Sequence, residues 1–536
     1  MTTDYLHYPY ASQRMTTVAN KGMVATSQPL AAQAGLDLLK KGGNAIDAAI
    51  ATAAVLTVVE PTSNGIGGDA FALVWTKGEL HGLNGSGPSP QSISIDSVKE
   101  RGYNEIPKYG WIPVTVPGVP ASWAALSKRF GKLSLKEALA PAIHYAEEGF
   151  PVSPILSKFW KNAYAHFEKE LKKEEFQHWF ETFAPDGRPP EVGEVWKSKG
   201  HAETLRQIAE TDAASFYKGE IADKIDAFSK AYNGYLRKED LSGFAPEWVD
   251  PISVQYRGYD VWEIPPNGQG LIALSTLNIV KGFDFDHKDS VGTYHKQIEA
   301  MKLAFADGQK YITDEQEMSV AVQDLLSPAY GESRRQLIGD EAILPSPGQP
   351  PKGGTVYLAT ADDEGNMVSF IQSNYMGFGS GLVVPGTGIA LQNRGHNFSM
   401  DPEHDNALKG GKRTYHTIIP GFLSKDGNAV GPFGVMGGFM QPQGHLQVIT
   451  NLIDFHLNPQ SALDAPRWQW VDGKRVWVES TFPPHLAEAL SRKGHQIEVQ
   501  LEKGAFGRGQ IIWRDQQSGT LFGGTESRTD GTIAAY

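Results

Sequence analysis

A chain of 536 residues, 40% hydrophobic and 21% charged, can bury a large core and has the composition of an ordinary soluble globular protein. Its net charge of −12, with no long Lys/Arg run, argues against nucleic acid or an anionic membrane as a partner. The lack of cysteine excludes disulfides, thiolate zinc sites and a cysteine nucleophile. The first residues show neither a basic n-region nor an apolar h-region, and no apolar stretch approaches the roughly 18 residues of a membrane span. Even Ala45–Val59 stops at Glu60 and Pro61. A cytoplasmic location is expected.

In chain order, helical spacing predicts helices over Pro29–Lys41 and Ala45–Val59, separated by Gly42, Gly43 and Asn44, a C-cap and N-cap combination. Gly65–Ala70 matches a G-x-G-x-x-A pattern, but it follows a helix and opens into the apolar run Phe71–Trp75, so a dinucleotide-binding loop is rejected. Further helices are predicted over Pro120–Phe130, Leu135–Glu148, Leu156–Phe183, Glu203–Glu210 and His295–Tyr311. The 156–183 stretch, charged with scattered aromatics, reads as one solvated surface helix. After the Pro- and Gly-rich segment Leu344–Gly354 the pattern changes to short β-branched runs broken by Gly, Asn and Asp, which predict strands. Both halves carry both patterns, so one interwoven α/β body is expected rather than two independent domains.

The junction Gly353-Gly354-Thr355 carries the most chemistry. It sets a threonine hydroxyl at the start of a strand, and a hydroxyl becomes a useful nucleophile when a base stands beside it. The threonine's own α-amine, with a pKa of ~7.7–8.0, can be that base, but only if the Gly354–Thr355 bond is cut. Taken alone, the segment reads more readily as a plain loop-to-strand junction. Thr355–Ala361 and Met367–Ser373 form two strand-like runs joined by the turn cluster Asp362–Asn366. A hairpin symmetric about Glu364 puts Ser373 directly across from Thr355 on one sheet face, at a Cβ separation of ~4.5–5.5 Å. Gly437-Gly438 can present adjacent backbone N–H groups to an oxyanion, although the pair taken alone is better explained by a tight turn. His396, His404 and His416 read as surface or pocket residues rather than a metal set, and no metal or cofactor is expected.

Together these residues resemble the γ-glutamyltranspeptidases, or glutathione hydrolases, of the N-terminal-nucleophile hydrolases. The resemblance runs through Gly42–Ala49, Glu60-Pro61, Gly65–Gly68, Pro265-Pro266, Gly354-Thr355, Asp363–Asn366 and Phe378–Gly381. It continues through Lys412-Arg413, Gly437-Gly438, Asp464–Arg467 and Gly524, Arg528 and Asp530. It implies an α/β four-layer αββα sandwich and self-cleavage at Gly354–Thr355. The products would be a non-covalent heterodimer of a helix-rich large subunit, 1–354, and a strand-rich small subunit, 355–536. Thr355 would be the nucleophile, Ser373 its supporting hydroxyl, and Gly437 and Gly438 the oxyanion hole. The implied activity is hydrolysis of γ-glutamyl amides such as glutathione, with possible transfer to acceptors. The chain looks like a divergent, cytoplasmic-type member.

Its departures fall in the substrate pocket. The arginine that grips the substrate α-carboxylate in the family is matched by Asn84, and the acidic residue that holds the α-ammonium by Asn397. The family's serine pair becomes His416-Thr417, and its asparagine two positions past the supporting hydroxyl becomes Tyr375. Arg394 is the residue left to hold a charged head group. Two other readings follow from this: the same acyl chemistry on another amide, as in a cephalosporin acylase, or an uncut, non-catalytic binding protein.

Overall fold

The structure is a computed structural model that describes Asp4, Leu6 and residues 13–345 and 354–536; Gly353 and most of the Pro-rich segment lie outside them. Two seven-stranded sheets face each other. In the first, the strands run in the order Thr532–Ala535, Gly22–Thr26, Gly354–Asp362, Met367–Tyr375, Asp69–Thr76, Glu79–Gly85 and Glu247–Val249. The second runs Thr17–Ala19, Leu521–Thr525, Arg508–Arg514, Asn428–Met436, Gly421–Lys425, Tyr259–Glu263 and Ile252–Tyr256. Each sheet interleaves strands from before and after residue 354.

Side-chain alternation sorts the layers. Tyr357, Ala359, Ile371, Phe71 and Leu73 point inward and pack on Phe422 and Ile512 of the facing sheet. Val356, Leu358, Val368 and Phe370 point outward, against Ala49 and Ala53 of the helix Ala45–Val59. On the far side, Phe433 and Val435 pack on Leu271, Ile298 and Leu446 from helices. The result is the four-layer αββα sandwich of N-terminal-nucleophile hydrolases. Strands covered on both faces are buried along their length, as Met367–Tyr375 is. No helix among the described residues is long and apolar enough to cross a membrane.

The predicted helices form with few changes. Ala45–Val59 is buried all round and starts at a capping box in which Asn44 and Asp47 satisfy each other's backbone N–H groups. Ser134 and Glu137 do the same for Leu135–Glu148. The single surface helix over 156–183 is not observed. Helix Pro154–Glu170 ends where the buried Leu171 turns into the core, and a separate helix runs Gln177–Phe183. Its aromatics are not a solvated face: Trp160, Trp179 and Phe183 are buried and pack edge-on or tilted around Phe378.

Candidate active site

Thr355 is the second residue of the strand Gly354–Asp362, and the register of its hairpin decides what it meets. From Val356↔Gln372 to Ala361↔Met367 the pairing is symmetric about Glu364, as predicted. At the open end Gly354 pairs with Tyr375, so the partner strand carries one extra residue and Thr355 faces both Ser373 and Asn374. This bulge does not separate the hydroxyls. Thr355 Oγ1 donates to Ser373 Oγ at 3.2 Å, and both side chains are buried. Ser373 Oγ also accepts the Tyr375 N–H at 2.8 Å.

Sequence reasoning missed Gln441. Its Nε2 donates to Thr355 Oγ1 at 3.4 Å, while its Oε1 accepts the Ile419 N–H at 2.9 Å, which fixes the end of the amide that faces the threonine. Cβ, Ser373 and Gln441 thus occupy three of the four tetrahedral directions around Oγ1. The remaining lone pair is left with one direction.

Gly437 and Gly438 join the strand Asn428–Met436 to the helix Met440–Ile453, whose first turn carries Gln441. Their φ values, 140° and 60°, lie where side chains are disfavoured, and a Cβ on Gly437 would sit 3.1 Å from Gly507 Cα. Their carbonyls accept the N–H groups of Met440 and Gln441 at 3.1 and 3.2 Å, so the pair forms the amino end of the helix, where N–H groups point outward. Gln269 steadies this turn: its Nε2 donates to the carbonyls of Gly438 and Thr417, and its Oε1 accepts from Tyr415 Oη at 2.8 Å. Three elements thus bring a hydroxyl, its bonding partners and a helix amino end together.

A second, charged cluster lies behind the hydroxyls. Asp69 is the direct cross-strand partner of Ser373. Its Oδ2 accepts from Arg394 Nε at 3.2 Å and from His416 Nε2 at 2.9 Å. The Ile418 N–H facing His416 Nδ1 at 3.4 Å sets that tautomer. Burial, and then the Arg394 charge, push the His416 pKa down to about 4, so its imidazole is neutral at pH 7. Arg394 Nη1 donates to Thr417 Oγ1 at 2.7 Å, and the guanidinium lies 4.4 Å over the Tyr375 ring. Tyr375 adopts φ 73°, rare for an aromatic residue, and its hydroxyl donates to Asn397 Oδ1 at 2.6 Å.

Six predicted residues, Ser373, Tyr375, Arg394, Asn397, His416 and Thr417, therefore meet beside Thr355. Asn84 stands apart: its Nδ2 donates to Asn267 Oδ1 at 3.0 Å and its Oδ1 accepts from Ser86 Oγ at 2.7 Å. It reaches this cluster through Asn267, whose carbonyl accepts the His416 N–H at 2.9 Å, and through its cross-strand partner Phe71, whose ring lies 4.7 Å from that of His416. Gln269 and Gln441 have no signal of spacing or motif; Asp69 lies within the rejected Gly65–Ala70 pattern, a carboxylate at the head of an apolar strand.

The chain belongs to the γ-glutamyltranspeptidase family. The family model for γ-glutamyltranspeptidase matches residues 31–536. The structure superposes on a crystal structure of cephalosporin acylase from Bacillus halodurans with a TM-score of 0.98 and 67% identity, covering 100% of this chain and 99% of that one. The sequence is 37% identical to a glutathione hydrolase-like proenzyme of Bacillus subtilis, over 96% of this chain and 98% of that one. It is 33% identical to the oxamate amidohydrolase proenzyme of Klebsiella pneumoniae, over 97% and 99%.

Several family motifs are structural. Arg467 and Arg528 enclose Glu526, and Arg528 also bonds Glu479. Asp530 accepts from the N–H of Leu156 at 3.1 Å and from Ser153 Oγ at 2.7 Å, at the start of helix Pro154–Glu170. His396, His404 and His416 each bond elsewhere, to Ile106, Asn406 and Asp69. Among the described residues one buried group, His295, Glu299 and His495, offers metal-type donors. Lys302 Nζ, 2.6 Å from Glu299 Oε1, already places a cation there.

Removing the Ser373 hydroxyl is expected to leave the fold intact and slow turnover roughly 10- to 100-fold, the value of one orienting hydrogen bond to the nucleophile. Rates of self-cleavage and of amide hydrolysis in Ser373→Ala check this. Unchanged rates in both would make it a plain strand serine.

Proposed function

We propose that this protein is a self-cleaving amide hydrolase that works through an acyl-enzyme on Thr355, with acylase-type substrates. The observation that carries the reading is the hydroxyl pair Thr355–Ser373 set beside the Gly437–Gly438 helix start, with Gln441 binding the nucleophile from that same helix. In the precursor, Thr355 Oγ1 attacks the Gly354 carbonyl carbon. The amide nitrogen leaves as the α-amine of Thr355, and water hydrolyses the ester formed. Fragments 1–354 and 355–536 remain together because both sheets interleave their strands. In the mature protein the new α-amine takes the Thr355 hydroxyl proton, and Oγ1 attacks the substrate carbonyl. The glycine N–H groups hold the oxyanion, each such donor being worth ~2.7–4 kcal/mol. The protonated leaving amine departs, and water releases the acid.

The acylase reading is favoured over a glutathione one by the state of the clamp positions. The neutral amides of Asn84 and Asn397 are engaged by Asn267, Ser86 and Tyr375. A lost charge-assisted pair is worth ~1.5–3 kcal/mol, or roughly 10- to 150-fold in affinity. The likeness to a cephalosporin acylase points the same way. Hydrolysis or transfer of γ-glutamyl groups is the second reading, favoured by the glutathione hydrolase-like relative. A panel of amides assayed with self-processed protein separates the two. Glutathione is expected to be a slow, high-KM donor, and efficient glutathione hydrolysis at micromolar KM would establish the second reading instead.

A further inference from the structure

The nucleophile carries a donor that its resting state hardly needs. Thr355 Oγ1 donates to Ser373 Oγ at 3.2 Å and accepts from Gln441 Nε2 at 3.4 Å. An amide nitrogen can only donate, so the hydroxyl proton cannot turn toward Gln441 and is directed at Ser373. At 3.4 Å the amide bond is long for a neutral hydroxyl. Such bonds are often long before reaction and tighten during it, and one to an ionised oxygen is roughly twice as strong as one between neutral groups. A contact that is weak in the ground state and strong in the transition state is the kind that accelerates a reaction.

The surroundings hold this amide in place. Gln441 is buried, and its Oε1 accepts the Ile419 N–H at 2.9 Å. Exchanging Oε1 and Nε2 would set that N–H against a second donor. Its backbone N–H is held by the Gly438 carbonyl at 3.2 Å, in the first turn of the 14-residue helix Met440–Ile453. The amino end of that helix adds partial positive charge on the same side. In the proposed reaction the glycine N–H groups serve the carbonyl oxygen under attack, whereas Gln441 faces the oxygen that attacks.

We propose that Gln441 is a catalytic residue whose Nε2 donates to Thr355 Oγ1 each time that oxygen bears charge, in self-cleavage and in turnover alike. The proposal rests on the amide hydrolase reading above. Self-cleavage depends on it most, because no α-amine exists yet. The bond from Oγ1 to the Gly354 carbonyl carbon forms, the C–N bond breaks, and the hydroxyl proton ends on the departing Thr355 nitrogen. Water then adds hydroxide to that carbon, and its remaining proton returns to Oγ1 as the ester bond breaks. Oγ1 carries charge as it attacks and again as it leaves, so one donor assists both halves of the reaction.

Two variants test this, with thermal melting as the check on folding. Gln441→Met keeps the length of the side chain and removes the donor. It should slow self-cleavage and amide turnover alike, by roughly 10- to 150-fold. Gln441→Glu keeps an oxygen for the Ile419 N–H. Its other oxygen donates to Oγ1 when the new carboxyl is protonated and opposes charge there when it is ionised. Self-cleavage of this variant, relative to the unmodified precursor at the same pH, should stay within about tenfold in acid. Above the carboxyl pKa, which burial raises, the ratio should fall about tenfold per pH unit. His416, pushed down to about 4 by burial and then by the Arg394 charge, stays neutral from about pH 5 upward and adds no titration there. A ratio that is flat with pH would overturn the proposal and leave Gln441 as a tie between Ile419 and the helix. Unmodified rates in a folded Gln441→Met would overturn it too. Should Gln441→Met fail to fold, the Gln441→Glu profile decides alone. If the unmodified protein neither cuts itself nor hydrolyses any amide, the hydrolase reading fails and takes the proposal with it.

Discussion

Thr355→Ala is expected to give a single uncut chain with no measurable amide hydrolysis, and the unmodified protein to give two fragments, the smaller starting Thr355-Val356-Tyr357-Leu358. Both losses share one cause. In the proposed reaction the hydroxyl that attacks the Gly354 carbonyl is the one that later attacks the substrate, and the α-amine base is created only by the first attack. Removing a nucleophile from an intact site costs on the order of 10⁴-fold or more in turnover. The structure adds a finer expectation for Thr355→Ser. The serine keeps the oxygen that bonds Ser373 and Gln441 but loses the methyl that limits rotation about Cα–Cβ, so it should still cut itself, more slowly. A denaturing gel and amino-terminal sequencing of the smaller band read both variants. A Thr355→Ala chain that still divides at this junction would remove the hydroxyl from the account.

Glu526→Gln should have the largest effect on stability, although Glu526 touches no reacting group. Its carboxylate accepts from Arg467 Nη2 at 2.8 Å, Arg528 Nη1 at 2.7 Å and the Gly509 N–H at 2.9 Å, all buried. Arg467 also donates to the carbonyls of Phe506 and Gly507, and Gly507 is the residue that abuts Gly437. The network thus forms the floor under the glycine turn. Breaking a buried ion pair by removing one partner costs ~3–5 kcal/mol. Its pH dependence has a defined sign. Burial alone would raise the Glu526 pKa, but the Arg467 and Arg528 charges outweigh it and hold it at about 2, below its ordinary value of 4.5. The folded state therefore binds the proton less tightly than the unfolded chain. The Glu526 contribution is full above about pH 4.5 and is lost as pH falls toward 2. The stability gap between the unmodified protein and Glu526→Gln should be constant near neutrality and close on acidification. A gap that widens in acid would mean that the carboxyl is protonated in the folded state.

The parts of the fold that are legible in the sequence are those with local causes. The caps at Asn44 and Ser134 and the periodicity between them fix helix type and limits, and the Asp362–Asn366 turn fixes the hairpin register. Ser373 is legible because a symmetric hairpin leaves it one position to occupy, and the bulge moves the pairing by one residue without moving the hydroxyl out of reach. The 156–183 region misleads because its charges lie on the outer face while its aromatics turn inward. Only the contact with Phe378, far along the chain, shows which face is buried. Asp69, Gln269 and Gln441 act through partners roughly 90 to 350 residues away. Such contacts depend on how the two sheets stack, which local pattern does not encode. The same holds for Arg394: its charge is visible in the sequence, but its bonds to Asp69 and Thr417 are not.

The central claim is that the acyl group is carried on Thr355, and the mass of the smaller fragment during turnover tests it most directly. Processed protein is mixed with an amide whose acyl-enzyme breaks down slowly, quenched in acid and weighed. The account predicts that the 355–536 fragment gains the mass of the acyl group and that fragmentation places it on Thr355. Continued turnover with no adduct on that fragment, or an adduct on any other residue, would contradict it.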